Sequence, residues 1–436
     1  MRILRHFAAT LALWALVAVP AKAAGLIRDA DVEYALAQIA APVLRAAGVP
    51  ANLRILVIDD PALNAFVADN QHIFLNSGLI MKLGSVEALQ YVIAHEAAHI
   101  SNGHLARRAG NARAARTAAG LGMVLAAAAA ASGAPSVATG IAAGSQSAAL
   151  RQFLAHTRAE ESSADATALR SLVRAGIDPR AALEVHELFR GQEALSAGRQ
   201  DPYMRSHPLT RDRMRAAQGF VAGNAGAARD DPGAAYWFAR AQGKLSAFLR
   251  APGWTLRRAG ASVSKDIALM REAVAYHRSS DLRKSVAAID QALALRPRDA
   301  LYLELKGQIL LEGRQFGPAV QVYRQAAAMA PNEALILGGL GRAQMAAGDA
   351  KSALEVLERA RSRDFRDPRI LRDLAVAYAK TGQNGMASLV TAERYALQGR
   401  MKDARLHATR AEGLLPRGSG PWRRAEDVLS ATKTLR

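Results

Sequence analysis

The 436-residue sequence predicts a mostly α chain: an α+β domain with a small β-sheet, then an α-solenoid. Three observations predict it. LRILVIDD (53–60) and HIFLNSGLI (72–80) are short aliphatic runs that read as strands among helical patterns. From about residue 266 a 34-residue period of small and apolar residues appears. Between the two parts, residues 228–262 read as a helical connector. There Trp237, Phe238, Leu245 and Phe248 share one helical face, and Pro252-Gly253 ends it. The length suits two or three domains, each able to bury its own core.

The N-terminus has the pattern of a secretory signal. Arg2 and Arg5 form a basic start, Phe7 to Pro20 is apolar, and Ala21-Lys22-Ala23 is a small-x-small cleavage site. The apolar run is shorter than the ~20 residues of a spanning helix. Residues 1–23 are therefore expected to be removed, leaving a mature chain from Ala24. Loss of Arg2, Arg5 and Lys22 lowers the net charge from +19 to +16. Such a surface favours acidic partners or anionic lipid head groups, and export argues against nucleic acid. The chain has no cysteine, which excludes disulfides, a cysteine nucleophile, thiolate metal sites and a lipid-bearing cysteine. A cleaved signal without that anchor points to the periplasm of a Gram-negative cell, with peripheral contact to a membrane surface allowed.

Residues 26–48 predict an amphipathic helix with Asp29 or Asp31 near its start. After the first strand, Pro61-Ala62-Leu63-Asn64 turns the chain, and the second strand runs into a helix at Asn76-Ser77-Gly78. A strand just before a functional helix can accept an extended peptide as a further strand. Residues 72–76 are expected to do this.

VEALQYVIAHEAAHISNGH then predicts a helix capped by Ser85, with apolar residues at helical spacing from Val86. His95 and His99 are four apart and share a face, so they can hold one Zn²⁺ through nitrogen. Glu96 lies beside them, placed to take a proton from the attacking water. This is the H-E-x-x-H arrangement of a zinc metallopeptidase. The plain alternative is a helix that carries these three residues by chance. His104, five residues after His99, points away from the metal face and reads as a structural or supporting histidine.

Residues 117–150 carry no charge and are mostly Ala and Gly, broken by Ser132-Gly133-Ala134-Pro135. Two helices of about 15 residues would each be ~22 Å long, short of the ~30 Å hydrocarbon core. A small-residue helical hairpin is expected, either covering the cleft, touching a membrane surface or packed inside. A further helix runs from Ala155 to Gly176. In its R-x-x-E-x-x-A-D segment, 158–165, Glu161 is the candidate third ligand, completing His₂Glu and leaving a fourth position open. Its neighbour Glu160 points about 100° away. Asp165, one turn on, can hydrogen-bond the distal nitrogen of a zinc histidine. In DPYMRSHPLTRDRM, 201–214, two prolines shape a loop and Thr210 caps the next helix. His207 there can donate to the oxyanion of the tetrahedral intermediate, or occupy the open zinc position and hold the enzyme off. Tyr203 is a weaker candidate for the same electrophilic role.

HEAAHISNGHLARR, TRAEESSADATAL and RSHPLTRDRM, in this order, resemble the periplasmic zinc metallopeptidases of the BepA/YfgC type. These are gluzincin-like enzymes related to the HtpX and CAAX-prenyl-protease group. NAFVADNQHIFLNSGLI, 64–80, is similar to their stretch before the catalytic helix, although Asp69-Asn70-Gln71 replaces a Gly-rich turn. The resemblance implies a zinc metalloendopeptidase with His95, His99 and Glu161 as ligands and Glu96 as the base. It places His207 on a regulatory histidine able to cap the zinc at rest. It also implies work in outer-membrane protein quality control, on stalled β-barrel proteins and near the barrel-assembly machinery.

In the C-terminal half, Leu269, Ala273, Tyr276, Ala292 and Pro297 recur as Leu303, Gly307, Leu310, Ala326 and Pro331, and a third unit keeps Leu337, Gly341 and Ala360. Small residues at fixed offsets let paired helices close, which is the tetratricopeptide pattern of a peptide-binding solenoid. The expected boundaries are 24–227 for the peptidase domain, 228–262 for the connector and 263–436 for the repeats. The expected function is cleavage of misfolded or stalled outer-membrane proteins, with the repeats recruiting substrate or partner. The alternative is a chaperone or scaffold whose zinc site is mostly silent. Glu96→Gln separates the two.

Overall fold

The computed structural model describes residues 25–50, 53–107, 157–196, 199–224, 226 and 228–433. The expected signal segment, 1–23, and the expected helical hairpin, 117–150, lie outside the described residues. The chain divides into two compact units, Met1–Ile27 with Val43–Ala228, and Arg28–Pro42 with Arg229–Arg436. The fold class is the one the sequence predicts, mostly helical with one small sheet.

In the first unit the sheet has the order β1-β2-β4-β3, from Leu26–Ile27, Arg54–Ile58, His72–Asn76 and Ala65–Val67 respectively. β2 and β4 pair in parallel, with Ile55 opposite Ile73 and Val57 opposite Leu75. β3 pairs antiparallel with β4, Phe66 opposite Phe74, and those two rings stack at 5.2 Å. This corrects the expectation for residues 72–76. Both edges of β4 are already paired, so it cannot take a substrate strand. The three-residue run Ala65–Val67 sits between two turn segments and shows too little alternation to read as a strand, yet it covers that edge. The first helix also starts later than predicted. β1 occupies 26–27, and α1 spans Ala30–Ala46, where Asp29 Oδ1 accepts from the backbone N–H groups of Asp31 and Val32 at 3.0 Å.

β4 passes directly into α2, Ser77–Lys82. Gly78 is required there, because a Cβ would meet the Pro61 carbonyl oxygen at 2.0 Å. α3, Val86–Ser101, follows, and Ser85 Oγ accepts from Ala88 N–H at 3.1 Å as its cap. From Ala88 to His99 the helix is buried on every face, so the site it carries rests on a packed element rather than a loop. Residues 157–175 form α4. α5 spans Ala181–Phe189, α6 Pro202–Ser206 and α7 Arg211–Gly223.

In the second unit α8, Pro232–Leu249, and α9, Pro252–Ala259, precede five helix pairs. The pairs are α10 Lys265–Arg278 with α11 Leu282–Leu295, α12 Ala300–Glu312 with α13 Phe316–Met329, α14 Ala334–Ala346 with α15 Ala350–Arg363, α16 Pro368–Lys380 with α17 Asn384–Leu397, and α18 Met401–Leu414 with α19 Gly420–Lys433. The small periodic residues mark the close approaches. A Cβ on Gly341 would lie 2.5 Å from Leu357 Cγ. Residues 28–42 belong to this unit. Arg28 pairs with Asp364 at 2.7 Å and Asp367 at 2.9 Å. Buried Arg240 meets Asp31 at 2.8 Å, and buried Lys244 meets Asp29 at 2.9 Å. Two cations on the inner face of α8 are invisible to a reading that treats charge as solvent-facing.

Candidate metal centre

α3 supplies His95, Glu96 and His99, all fully buried. α4 supplies Glu161 and Asp165. His207 follows the short helix α6, and its backbone N–H donates to the Tyr203 carbonyl at 2.8 Å. His95 Nε2 lies 3.1 Å from His99 Nε2 and 3.3 Å from His207 Nδ1. Glu161 Oε2 lies 2.9 Å from His207 Nδ1 and 3.2 Å from His95 Nε2, and its Oε1 lies 3.5 Å from His99 Nε2. One donor atom from each of His95, His99, Glu161 and His207 falls within 4.8 Å of the others.

These distances fit a bound ion. Ligands about 2.0–2.1 Å from a tetrahedral Zn²⁺ stand about 3.3–3.4 Å from each other, close to the spacings found here. The donor chemistry fits as well. Asp165 Oδ1 lies 2.9 Å from His95 Nδ1, which places the proton on Nδ1 and turns the Nε2 lone pair inward. His104 Nδ1 approaches His99 Nδ1 at 2.8 Å, on the side away from the cluster. Burial alone would lower His95, but Asp165 and Glu161 outweigh it and carry its pKa up to about 9. Burial opposes ionisation of Glu161, and His207 and His95 reverse this, holding its pKa well below the usual carboxylate range. The structure thus keeps negative charge beside three imidazoles in a dry site, and that combination calls for a cation.

Glu96 lies next to the donor set, its Oε1 3.3 Å from His207 Nε2. The Tyr203 ring packs on His207 at 4.7 Å and on Phe189 at 4.8 Å. Glu160 is on the same helix but is not among the clustered donors. Three contributors escaped the sequence reading. Arg213 donates to Asp165 through Nε at 2.6 Å and Nη2 at 2.8 Å, and to the Pro208 carbonyl at 2.8 Å. Tyr91 Oη donates to Asp165 Oδ1 at 2.9 Å and lies 3.2 Å from His186 Nε2. Tyr91 is one turn before His95 and Arg213 lies within the RSHPLTRDRM motif, so position in the motifs was the signal available for both. His186 had none.

Residues 28–221 match peptidase family M48, and residues 310–376 match a tetratricopeptide repeat. The chain carries an M48 metallopeptidase domain. The beta-barrel assembly-enhancing protease of Escherichia coli is 25% identical over 382 residues, 83% of this chain and 74% of that protein. A beta-barrel assembly-enhancing protease relative from Vibrio cholerae is 28% identical over 158 residues, 36% of this chain and 32% of its own length. The human mitochondrial metalloendopeptidase OMA1 is 37% identical over 59 residues, 14% of this chain and 11% of that protein. The chain therefore spans less than two thirds of the Vibrio and human relatives. Among solved structures, MamA of Desulfovibrio magneticus aligns with 37% of this chain and 94% of its own, at 20% identity and a TM-score of 0.33.

Proposed function

We propose that the chain is a zinc-dependent endopeptidase of the periplasm that cuts misfolded or stalled outer-membrane proteins. The observation that carries this is the buried set His95, His99, Glu161 and His207, with one donor atom from each within 4.8 Å of the others, beside the Glu96 carboxylate. His95, His99 and Glu161 would hold one Zn²⁺ per chain. When bound, the ion supplies Lewis acidity for the scissile carbonyl and the attacking water. Glu96 takes the proton of that water and passes it to the leaving amine. Asp165, held by Arg213 and Tyr91, keeps His95 in one tautomer and orientation.

His207 makes a fourth protein donor. Structural zinc sites are closed by four protein ligands, whereas catalytic ones keep a position open. On this reading His207 caps the ion at rest and withdraws before substrate enters. The substrate class is supported by the Escherichia coli relative, named for enhancing β-barrel assembly, and by the repeats. The repeat unit offers a cleft of about 840 Å³ lined by Tyr34, Trp237, Leu295 and Met329, suited to apolar side chains of an unfolded chain or an assembly partner. A Glu96→Gln chain expressed in a strain lacking the protein tests the reading. Failure to restore outer-membrane integrity supports a protease, and full restoration supports the scaffold.

A further inference from the structure

One corner of the second unit gathers positive charge. Between Asp231 and Asp266 the sequence has no acidic residue but carries Arg240, Lys244, Arg250, Arg257, Arg258 and Lys265. The first two are buried on carboxylates. The other four are exposed. Two of them flank Trp254, whose ring has the Arg258 guanidinium at 4.7 Å and that of Arg250 at 5.7 Å. Val263, just beyond α9, is 74% exposed. Two arginines of α10 hold the corner in place. Arg271 donates to Ser262 Oγ at 2.7 Å and to the Arg258 carbonyl at 3.2 Å, and Arg278 donates to the carbonyls of Ala247 and Arg250. Carbonyls neutralise no charge, so these add two more cations. Among the described residues, none of Arg250, Arg257, Arg258, Lys265, Arg271 and Arg278 forms an ion pair with a carboxylate.

We propose that this corner docks on an anionic phospholipid surface. Guanidinium groups bind phosphate through paired donors. Tryptophan favours the headgroup layer, where its ring is half in hydrocarbon and its N–H meets water. Val263, exposed just after α9, adds apolar contact that an acidic peptide would not need. Cations without carboxylate partners make the corner a poor match for neutral lipid and a good match for an anionic leaflet.

The test is co-flotation of the mature chain from Ala24 with phosphatidylcholine vesicles, with and without phosphatidylglycerol. Binding is expected only with phosphatidylglycerol, and should weaken as salt rises. Arg257→Glu with Arg258→Glu should lower the partition by roughly tenfold or more. Val263→Asp, at an exposed position outside any helix, should lower it as well. Arg417→Glu with Arg423→Glu makes the same change of net charge at exposed positions elsewhere and should leave binding within about twofold. Thermal unfolding of each variant shows that it is folded. The proposal is overturned if phosphatidylglycerol makes no difference, if the Arg257/Arg258 pair binds like wild type, or if the control pair weakens binding equally.

Discussion

Asp165→Asn probes the support of the metal centre. In the native site both Asp165 oxygens accept from Arg213, at 2.6 and 2.8 Å, while Oδ1 also takes the Tyr91 hydroxyl and faces His95 Nδ1. Asparagine keeps the shape but has one acceptor oxygen and a neutral charge. Breaking a buried ion pair outright costs about 3–5 kcal/mol. One retained hydrogen bond brings the expected loss of stability to about 2–3 kcal/mol. The amide N–H₂ would also oppose the Nδ1 proton of His95 and favour the wrong tautomer, as a carboxylate-to-amide change does in a catalytic triad. Metal affinity should then fall roughly 10–100-fold. Urea unfolding and competition with a chromogenic chelator measure the two effects. The Asp165 carboxylate is held far below its usual range, chiefly by Arg213 acting against burial. Its contribution is therefore present above the unfolded pKa of about 3.9 and lost as pH falls below it, and the variant should lose this acid sensitivity. Unchanged metal affinity together with unchanged stability would refute the reasoning.

His207→Ala should raise the rate of peptide cleavage while zinc is retained, since three protein ligands remain. Stopped assays against an unfolded protein read the rate, and elemental analysis reads the zinc. In the metal-free chain His95 contributes stability that is full below pH 6.5 and is lost as pH rises to about 9. The swing is about 3 kcal/mol, and metal affinity should climb over the same window as the competing proton leaves. Denaturant titrations at several pH values check both. Gly341→Ala forces a Cβ to 2.5 Å from buried Leu357. It should cost about 1–3 kcal/mol of overpacking, offset in part by about 1 kcal/mol of helix propensity, and thermal unfolding reports the difference. Gly78→Ala meets a backbone oxygen that cannot give way, so the soluble folded yield should fall sharply.

Local spacing made much of this legible. The four-residue interval of His95 and His99 needs only helical geometry, and the 34-residue period shows in the repeats because each pair needs a small residue where its helices meet. What stayed hidden depends on distant partners. Arg213 looks like one of several surface cations until Asp165 is placed 48 residues away in sequence and within 2.6 Å in space. Arg240 and Lys244 lie inside α8 because Asp29 and Asp31 come back to them from the N-terminal segment. That return also groups residues 28–42 with the repeats, where a linear reading of domains would not put them. The peptide-accepting role of 72–76 failed for a related reason. Whether a strand is an edge depends on its neighbours, and β3 carried no pattern of its own.

The most direct measurement is zinc content and cleavage of an unfolded protein by the purified chain, wild type beside Glu96→Gln and Glu161→Gln. The account predicts one zinc per chain for wild type and Glu96→Gln, cutting by wild type alone, and weakened zinc retention in Glu161→Gln. Cleavage by Glu96→Gln at the wild-type rate, or full zinc retention without Glu161, would contradict it.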